Sequence, residues 1–258
     1  MMNVPYNSWA ISMSSESESR DKQGKAYVLH TRAYKNTSLI VEALTREHGR
    51  MTLVAKGAKR TGSPYQGLLQ PFIPLFLSWG GRSEMKTLYK AENISGPIKL
   101  EGELIYTGFY LNELIMYLLH KHEAHASLFE HYQECLTDLQ QGQDTELALR
   151  YFELALLEEL GYGLSLEHEL QSGQSVQSDL LYEYNMEMGI TPLKGDGSSS
   201  LAVSGDTLLA LATRNIATDK QKTEAKRLLR NILEYHLEGR PLKTRELFAQ
   251  KKKFSLSH

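Results

Sequence analysis

The residues best suited to chemistry are cations and aromatic rings that alternate through the first third of the chain: Tyr27, Arg32, Tyr34, Lys35, Arg50, Lys56, Arg60, Tyr65, Phe72, Lys86, Tyr89 and Lys90. Cations neutralise the phosphates of a polyanion, and exposed rings stack on bases without sequence preference. Arg32, Lys35, Arg50, Lys56, Lys59, Arg60, Lys86 and Lys90 form the candidate nucleic-acid-binding set. Lys86 and Lys90 are an even number of residues apart, so a regular strand puts them on one face. Lys56 precedes the loop Gly57–Ser63 and Lys59 and Arg60 lie within it, and the loop's backbone N–H groups can also hold phosphate. That loop faintly resembles a nucleotide phosphate loop. Ser63-Pro64 replaces the Lys-Ser/Thr that should follow its second glycine, so nothing reaches a β- or γ-phosphate, and nucleotide hydrolysis is not expected. Phe72 and Trp79 are expected to fill the barrel core, while Tyr34 beside a turn can lie either way.

Other chemistry finds less support. His120, His122, His125 and His131 lie close together, but no cysteine or well-spaced carboxylate completes a tetrahedral metal set. They read as surface residues at a helix–helix junction. Cys135 is the single cysteine, which excludes an internal disulfide. It sits on a helical apolar pattern beside Leu136 and reads as a buried, inert thiol. There is no nucleophile elbow and no HExxH helix. The many carboxylates between residues 101 and 169 spread around helices as a solvated face rather than pairing for acid–base catalysis. No cofactor and no enzymatic activity are expected.

Charge is sorted along the 258 residues. Residues 20–90 hold 13 Lys/Arg against 4 Asp/Glu, residues 91–200 hold 4 against 19, and residues 201–258 hold 12 against 6. A polyanion should be drawn to both ends and repelled by the middle. No apolar run approaches a membrane span, and residues 1–20 lack the basic-then-apolar order of a secretory signal, which suits a cytoplasmic protein without membrane contact.

The elements that must position these residues change type near Gly96-Pro97. Before it, runs at 26–31, 39–45, 50–56, 72–79 and 84–90 read as five short strands, with the longest connection between the third and fourth. This suits a five-stranded OB-type barrel. After it, apolar residues recur at helical spacing from Leu104, from Leu128 and, capped by Asp144, through Leu160 to Gly161-Tyr162-Gly163. Residues 164–203 are irregular, with a small hairpin expected between Leu180–Tyr184 and Leu201–Val203 across Gly195-Asp196-Gly197. Helices resume at 206–212 and 218–237 and stop at Gly239-Arg240-Pro241. The expected organisation is mixed α and β: a disordered extension (1–24), the barrel (25–95), a helical domain in two parts (96–163 and 204–258, the second ending in a basic tail), and the irregular insertion (164–203).

Several motifs in order resemble the bacterial RecO recombination mediators. They are Ala26–Arg32, Glu47–Arg50, Leu53–Arg60, Leu69–Phe72, Tyr110–Leu114, Arg150–Leu154 followed by Leu160–Gly163, and Gly239–Leu247. The resemblance spans roughly residues 25–248. It implies an N-terminal OB domain and a helical remainder. It also implies binding to single- and double-stranded DNA, annealing of complementary strands, and help in loading recombinase on strands coated by single-strand-binding protein, with RecR as partner. Many relatives carry four zinc-binding cysteines after the Gly-Tyr-Gly turn; Leu164–Glu169 stands there instead, without cysteine.

The implied single-strand-binding partner ends in an acidic, apolar-tipped tail, and a receptor for it needs an apolar pocket rimmed by cations. Arg150 and Lys121 are among the few cations of the acidic middle, and Lys226, Arg227, Arg230, Arg240, Lys243 and Arg245 supply the rest of the candidate partner-binding set. Two other classes compete with this reading. One is an adaptor whose basic surface meets an acidic protein, which would lack salt-dependent DNA binding; the other is a nuclease, which would need an acidic metal cluster. Loss of the cysteine module predicts folding without metal. A chelator should leave the melting temperature unchanged, and elemental analysis should find no stoichiometric zinc.

Overall fold

The strands of the first third close on themselves in the computed structural model, which describes residues 22–193 and 202–255. They are β1 (Lys22–Tyr34), β2 (Ser38–Thr45), β3 (Gly49–Ala55), β4 (Leu75–Gly80) and β5 (Lys86–Asn93). The barrel order is β1-β2-β3-β5-β4, with β4 returning to β1 and β3 parallel to β5, as an OB-type barrel requires. Period-two alternation builds it: Met51, Leu53 and Ala55 of β3 point inward with Val41, Ala43, Leu75, Leu77, Trp79 and Leu88, while Thr52 and Val54 take the opposite side. Tyr65, from the long loop before β4, donates its hydroxyl to the carbonyls of Leu88 and Tyr89, both at 3.0 Å.

α1 (Leu104–Leu118), α2 (Ala126–Gln140) and α3 (Thr145–Glu159) follow. Asp144 caps α3 by accepting from the N–H groups of Glu146 and Leu147. A small sheet of β6 (Leu181–Asn185), β7 (Gly189–Pro192) and β8 (Ala202–Ser204) is ordered β7-β6-β8. α4 (Gly205–Ala212), α5 (Asp219–His236) and α6 (Lys243–Ser255) complete the chain, with a capping box of Thr218 and Gln221 opening α5. Among the described residues no helix is long and apolar enough to cross a membrane, and no group of His, Cys, Asp and Glu is arranged to hold a metal.

Several expectations need correction. β1 begins at Lys22, ahead of the expected boundary, because Lys22–Ala26 pair with β4 and close the barrel. The fourth and fifth strands start at Leu75 and Lys86 rather than at 72 and 84. The hairpin is a three-stranded sheet: β6 does pair with β8, but β7 returns first through the turn after Asn185, whose side chain accepts from Glu187 and Met188. The proposed turn at 195–197 and residues 1–21 lie outside the described residues. The basic tail is a helix, α6. His125 is buried rather than superficial, with Nδ1 3.0 Å from Glu159 Oε1. Cys135, by contrast, is buried as expected, and burial raises its pKa.

Tyr27, Leu29, Leu44 and Phe72 of the barrel part join the core of the helices, while the barrel interior forms a second core of its own. The β1–β2 register shifts between Val28 and His30, leaving Leu29 as a bulged residue. Asn112 of α1 donates Nδ2–H to the Leu29 carbonyl at 2.9 Å, and Tyr132 of α2 donates its hydroxyl to Asn112 Oδ1 at 2.6 Å. Tyr27 packs on Phe129 and Tyr132 with ring centroids 5.5 and 5.2 Å apart, and burial lifts its phenol to about 12. Phe72 joins this seam against Phe109 rather than the expected barrel interior, whereas Trp79 does fill the barrel. Tyr132→Phe should leave the buried Asn112 oxygen without its donor and cost about 1–3 kcal/mol. Chemical denaturation should register that loss, while the far-ultraviolet circular dichroism of the native state stays unchanged.

Candidate nucleic-acid interface

The outer face of the barrel places side chains in rows across the strands. Arg32, Ile40, Val54 and Thr87 stand side by side on β1, β2, β3 and β5. Lys35 turns the chain between β1 and β2 with φ of +50°, and its ammonium lies 5.3 Å from the Tyr34 ring centroid. The loop after β3 is tied to that turn, because Lys59 N–H donates to the Thr37 carbonyl at 2.9 Å. Gly57, at φ of +71°, allows the sharp exit from β3, and Arg60 N–H closes the turn on its carbonyl at 3.0 Å. Lys35, Lys56, Lys59 and Arg60 thus gather at one rim, with Arg32 just inside it. All five are exposed, and none forms an ion pair among the described residues. Tyr34 is half-buried.

The other three members of the candidate set behave differently. Arg50 is half-buried: its Nη1 lies 3.3 Å from Glu42 Oε2, and Nε donates to the Leu119 carbonyl at 3.0 Å. Its charge is committed to joining the barrel to the segment after α1. Lys86 and Lys90 do not share a face. Trp79 opposes Leu88 but Ser78 opposes Lys90, so Tyr89 is an extra, bulged residue that reverses the alternation. Lys86 lies on the Leu53 side at the start of β5 and donates to the Gly81 carbonyl, whereas Lys90 points outward and pairs with Glu92 at 2.8 Å. The same bulge leaves Tyr89 half exposed. Lys22, Lys25 and Arg82 are further exposed barrel cations that the sequence reading omitted.

Of the candidate partner-binding residues, Arg150, Lys226, Arg230 and Arg245 come together around a cavity of 450 Å³ between α1, α3, α5 and α6. Tyr110, Leu149 and Phe248 give it apolar surface. Sequence reasoning missed Glu153, which lies in its wall. Arg150 donates to Glu153 Oε1 at 2.6 Å, and the Tyr110 hydroxyl donates to the same oxygen at 2.6 Å. Burial raises the Glu153 pKa against the attraction of Arg150. The available signal was its position three residues after Arg150, one turn along a helix that is otherwise apolar there. Arg245 bonds Glu234 at 2.7 Å and lies 5.7 Å from the Tyr110 ring centroid. The remaining candidates sit elsewhere. Lys121 is beside Glu84 and bridges to Arg50, Arg227 donates to the Ala202 carbonyl, and Arg240 is exposed near Glu238. Lys243 lines a second cavity on the other side of α6.

Comparison with known proteins accords with this architecture. Residues 20–97 match the family described as Recombination protein O N terminal, and residues 100–246 match Recombination protein O C terminal. A relative named DNA repair protein RecO from Methylococcus capsulatus is 47% identical over 223 residues, covering 86% of this chain and 91% of its own. The protein of that name from Nitrosospira multiformis is 43% identical over 232 residues, covering 90% and 96%. That from Photobacterium profundum is 42% identical over 224 residues, covering 87% and 94%. With both halves of the chain matched in order and relatives above 40% identity along most of its length, the chain belongs to the RecO family of DNA repair proteins.

Proposed function

We propose that the chain binds single- and double-stranded DNA at the barrel rim, anneals complementary strands, and assists recombinase loading on DNA coated by single-strand-binding protein, with RecR as partner. The observation that carries this reading is the convergence of Arg32, Lys35, Lys56, Lys59 and Arg60 without ion-pair partners among the described residues. Each unpaired cation can replace a condensed counterion on a phosphate. Cancelling phosphate repulsion between two strands leaves base pairing itself to drive annealing, so the protein needs no catalytic residue and acts as a non-enzymatic mediator.

With four to six phosphates neutralised, log K should fall with log salt at a slope of about −3 to −5. Changing Lys59 and Arg60 together to Glu should weaken binding to all sequences alike and flatten that slope. The melting temperature should barely move, because exposed charges add little to folding. Wild-type affinity in this double variant, or salt-independent binding by the native protein, rejects the rim as the DNA site.

The 450 Å³ cavity is the receptor for the tail of single-strand-binding protein in this reading. Its four cations suit an acidic peptide, and Tyr110, Leu149 and Phe248 suit an apolar last residue. Calorimetry at low salt should show a tail peptide binding the native protein and binding Arg245→Ala several-fold more weakly. A native protein that takes up no heat-detectable peptide rejects this assignment.

A further inference from the structure

The second cavity, of 440 Å³, opens where β1, α1 and α6 meet. Leu29 and His30 form its barrel side, Phe109 and Tyr117 its α1 side, and Lys243 and Leu247 its α6 side. Its size is in the range of sites that enclose small organic groups, about 300–1,000 Å³. Three features point to its occupant. First, the cavity is continuous with the barrel's outer face. His30 opposes Glu42 and Arg32 opposes Ile40, so His30 lies two residues from Arg32 on the same side of β1. Second, its apolar surface includes aromatic rings. Phe109 is 39% exposed although its ring packs on Phe72 at 5.3 Å, which leaves ring surface open to the cavity. Third, its one carboxylate is already engaged. Glu113 accepts from the backbone N–H groups of Lys243 and Thr244 at 2.8 and 3.0 Å and from the Thr244 hydroxyl at 2.7 Å, capping α6. The exposed Lys243 side chain remains at the edge as a cation.

We infer that this cavity is a nucleobase subsite at the end of the DNA face: one unpaired base of a single strand inserts against Phe109 while its flanking phosphates run between Arg32 and Lys243. A π-face meets any base, so the subsite is indifferent to sequence. A duplex cannot fill it without unstacking a base, which costs a few kcal/mol. The site therefore favours single strands over duplex, something that a rim of point charges cannot do by itself.

The inference rests on the DNA-binding reading, and the experiment separates the two. An oligothymidine and a strand of equal length and charge made of abasic units are titrated against the native protein and Phe109→Leu, which keeps an apolar side chain but removes the ring. The native protein should prefer the thymidine strand by on the order of 5- to 150-fold, the range expected from one stacked base. Phe109→Leu should lose most of that preference while keeping its affinity for the abasic strand and for duplex, and while keeping the slope against salt. A 2-aminopurine strand should be quenched by the native protein and less so by the variant. Equal native affinity for thymidine and abasic strands, or an undiminished preference in a folded Phe109→Leu protein, overturns the subsite and leaves the rim reading standing. A native protein that binds neither strand overturns both.

Discussion

The architecture depends on one displaced carbonyl. The bulge at Leu29 takes a backbone acceptor out of the β1–β2 ladder at the place where the barrel must meet the helices. A buried carbonyl without a partner costs free energy comparable to a lost hydrogen bond. Asn112 supplies that partner and is itself held by Tyr132, so α1 and α2 are both fixed relative to β1. The bulge also reverses the alternation of β1. Tyr27 faces the helices, and beyond the shift His30 and Arg32 continue along the outer face. One irregular residue therefore joins the two halves and sets which side chains of β1 reach the outer surface.

A second seam reinforces the first. Gly49 approaches the helical side so closely that a Cβ would fall 1.6 Å from the Glu123 carbonyl oxygen, and its φ of +65° suits glycine in any case. Arg50 follows immediately, with its guanidinium shared between Glu42 and the Leu119 carbonyl, while its own carbonyl accepts from His122 N–H. Burial lowers the pKa of that guanidinium against the pull of Glu42. Its neighbours make Arg50 a joint rather than a phosphate ligand.

Much of this was legible in the sequence because the signals were local. Alternation in Arg50–Lys56, the Asp144 cap and the stripe Ala225–Leu228–Leu229–Ile232–Leu233 each depend on a few adjacent residues. The rim cations were legible for the same reason, since Lys35 sits in a turn and Lys59 and Arg60 in a glycine-bounded loop. What escaped were features set by partners distant in sequence. The Tyr89 bulge arises from the pairing of β5 with β4, and nothing within residues 84–90 announces it. Burial of His125 and the engagement of Arg50 depend on Glu159 and Leu119. α6 was obscured because Lys243–Ser255 is polar on average, and its capping carboxylate, Glu113, comes 130 residues earlier.

The fold also changes the meaning of the charge pattern. In sequence the chain has two basic ends around an acidic middle. In space the second basic stretch is laid largely against acids. Lys222 meets Asp144, Lys226 meets Glu146, Arg214 lies near Glu158, and Arg230 and Arg245 both bond Glu234. Each exposed pair adds little to stability. Their collective effect is electrostatic, because opposite charges a few ångströms apart cancel at the distances from which a polyanion approaches. The rim cations of the barrel have no such neighbours among the described residues. Two basic segments of similar composition thus acquire different roles. The rim of the first keeps its field and faces outward, while the second has most of its charge balanced within the helical part, where the cations around the Tyr110 cavity already face carboxylates.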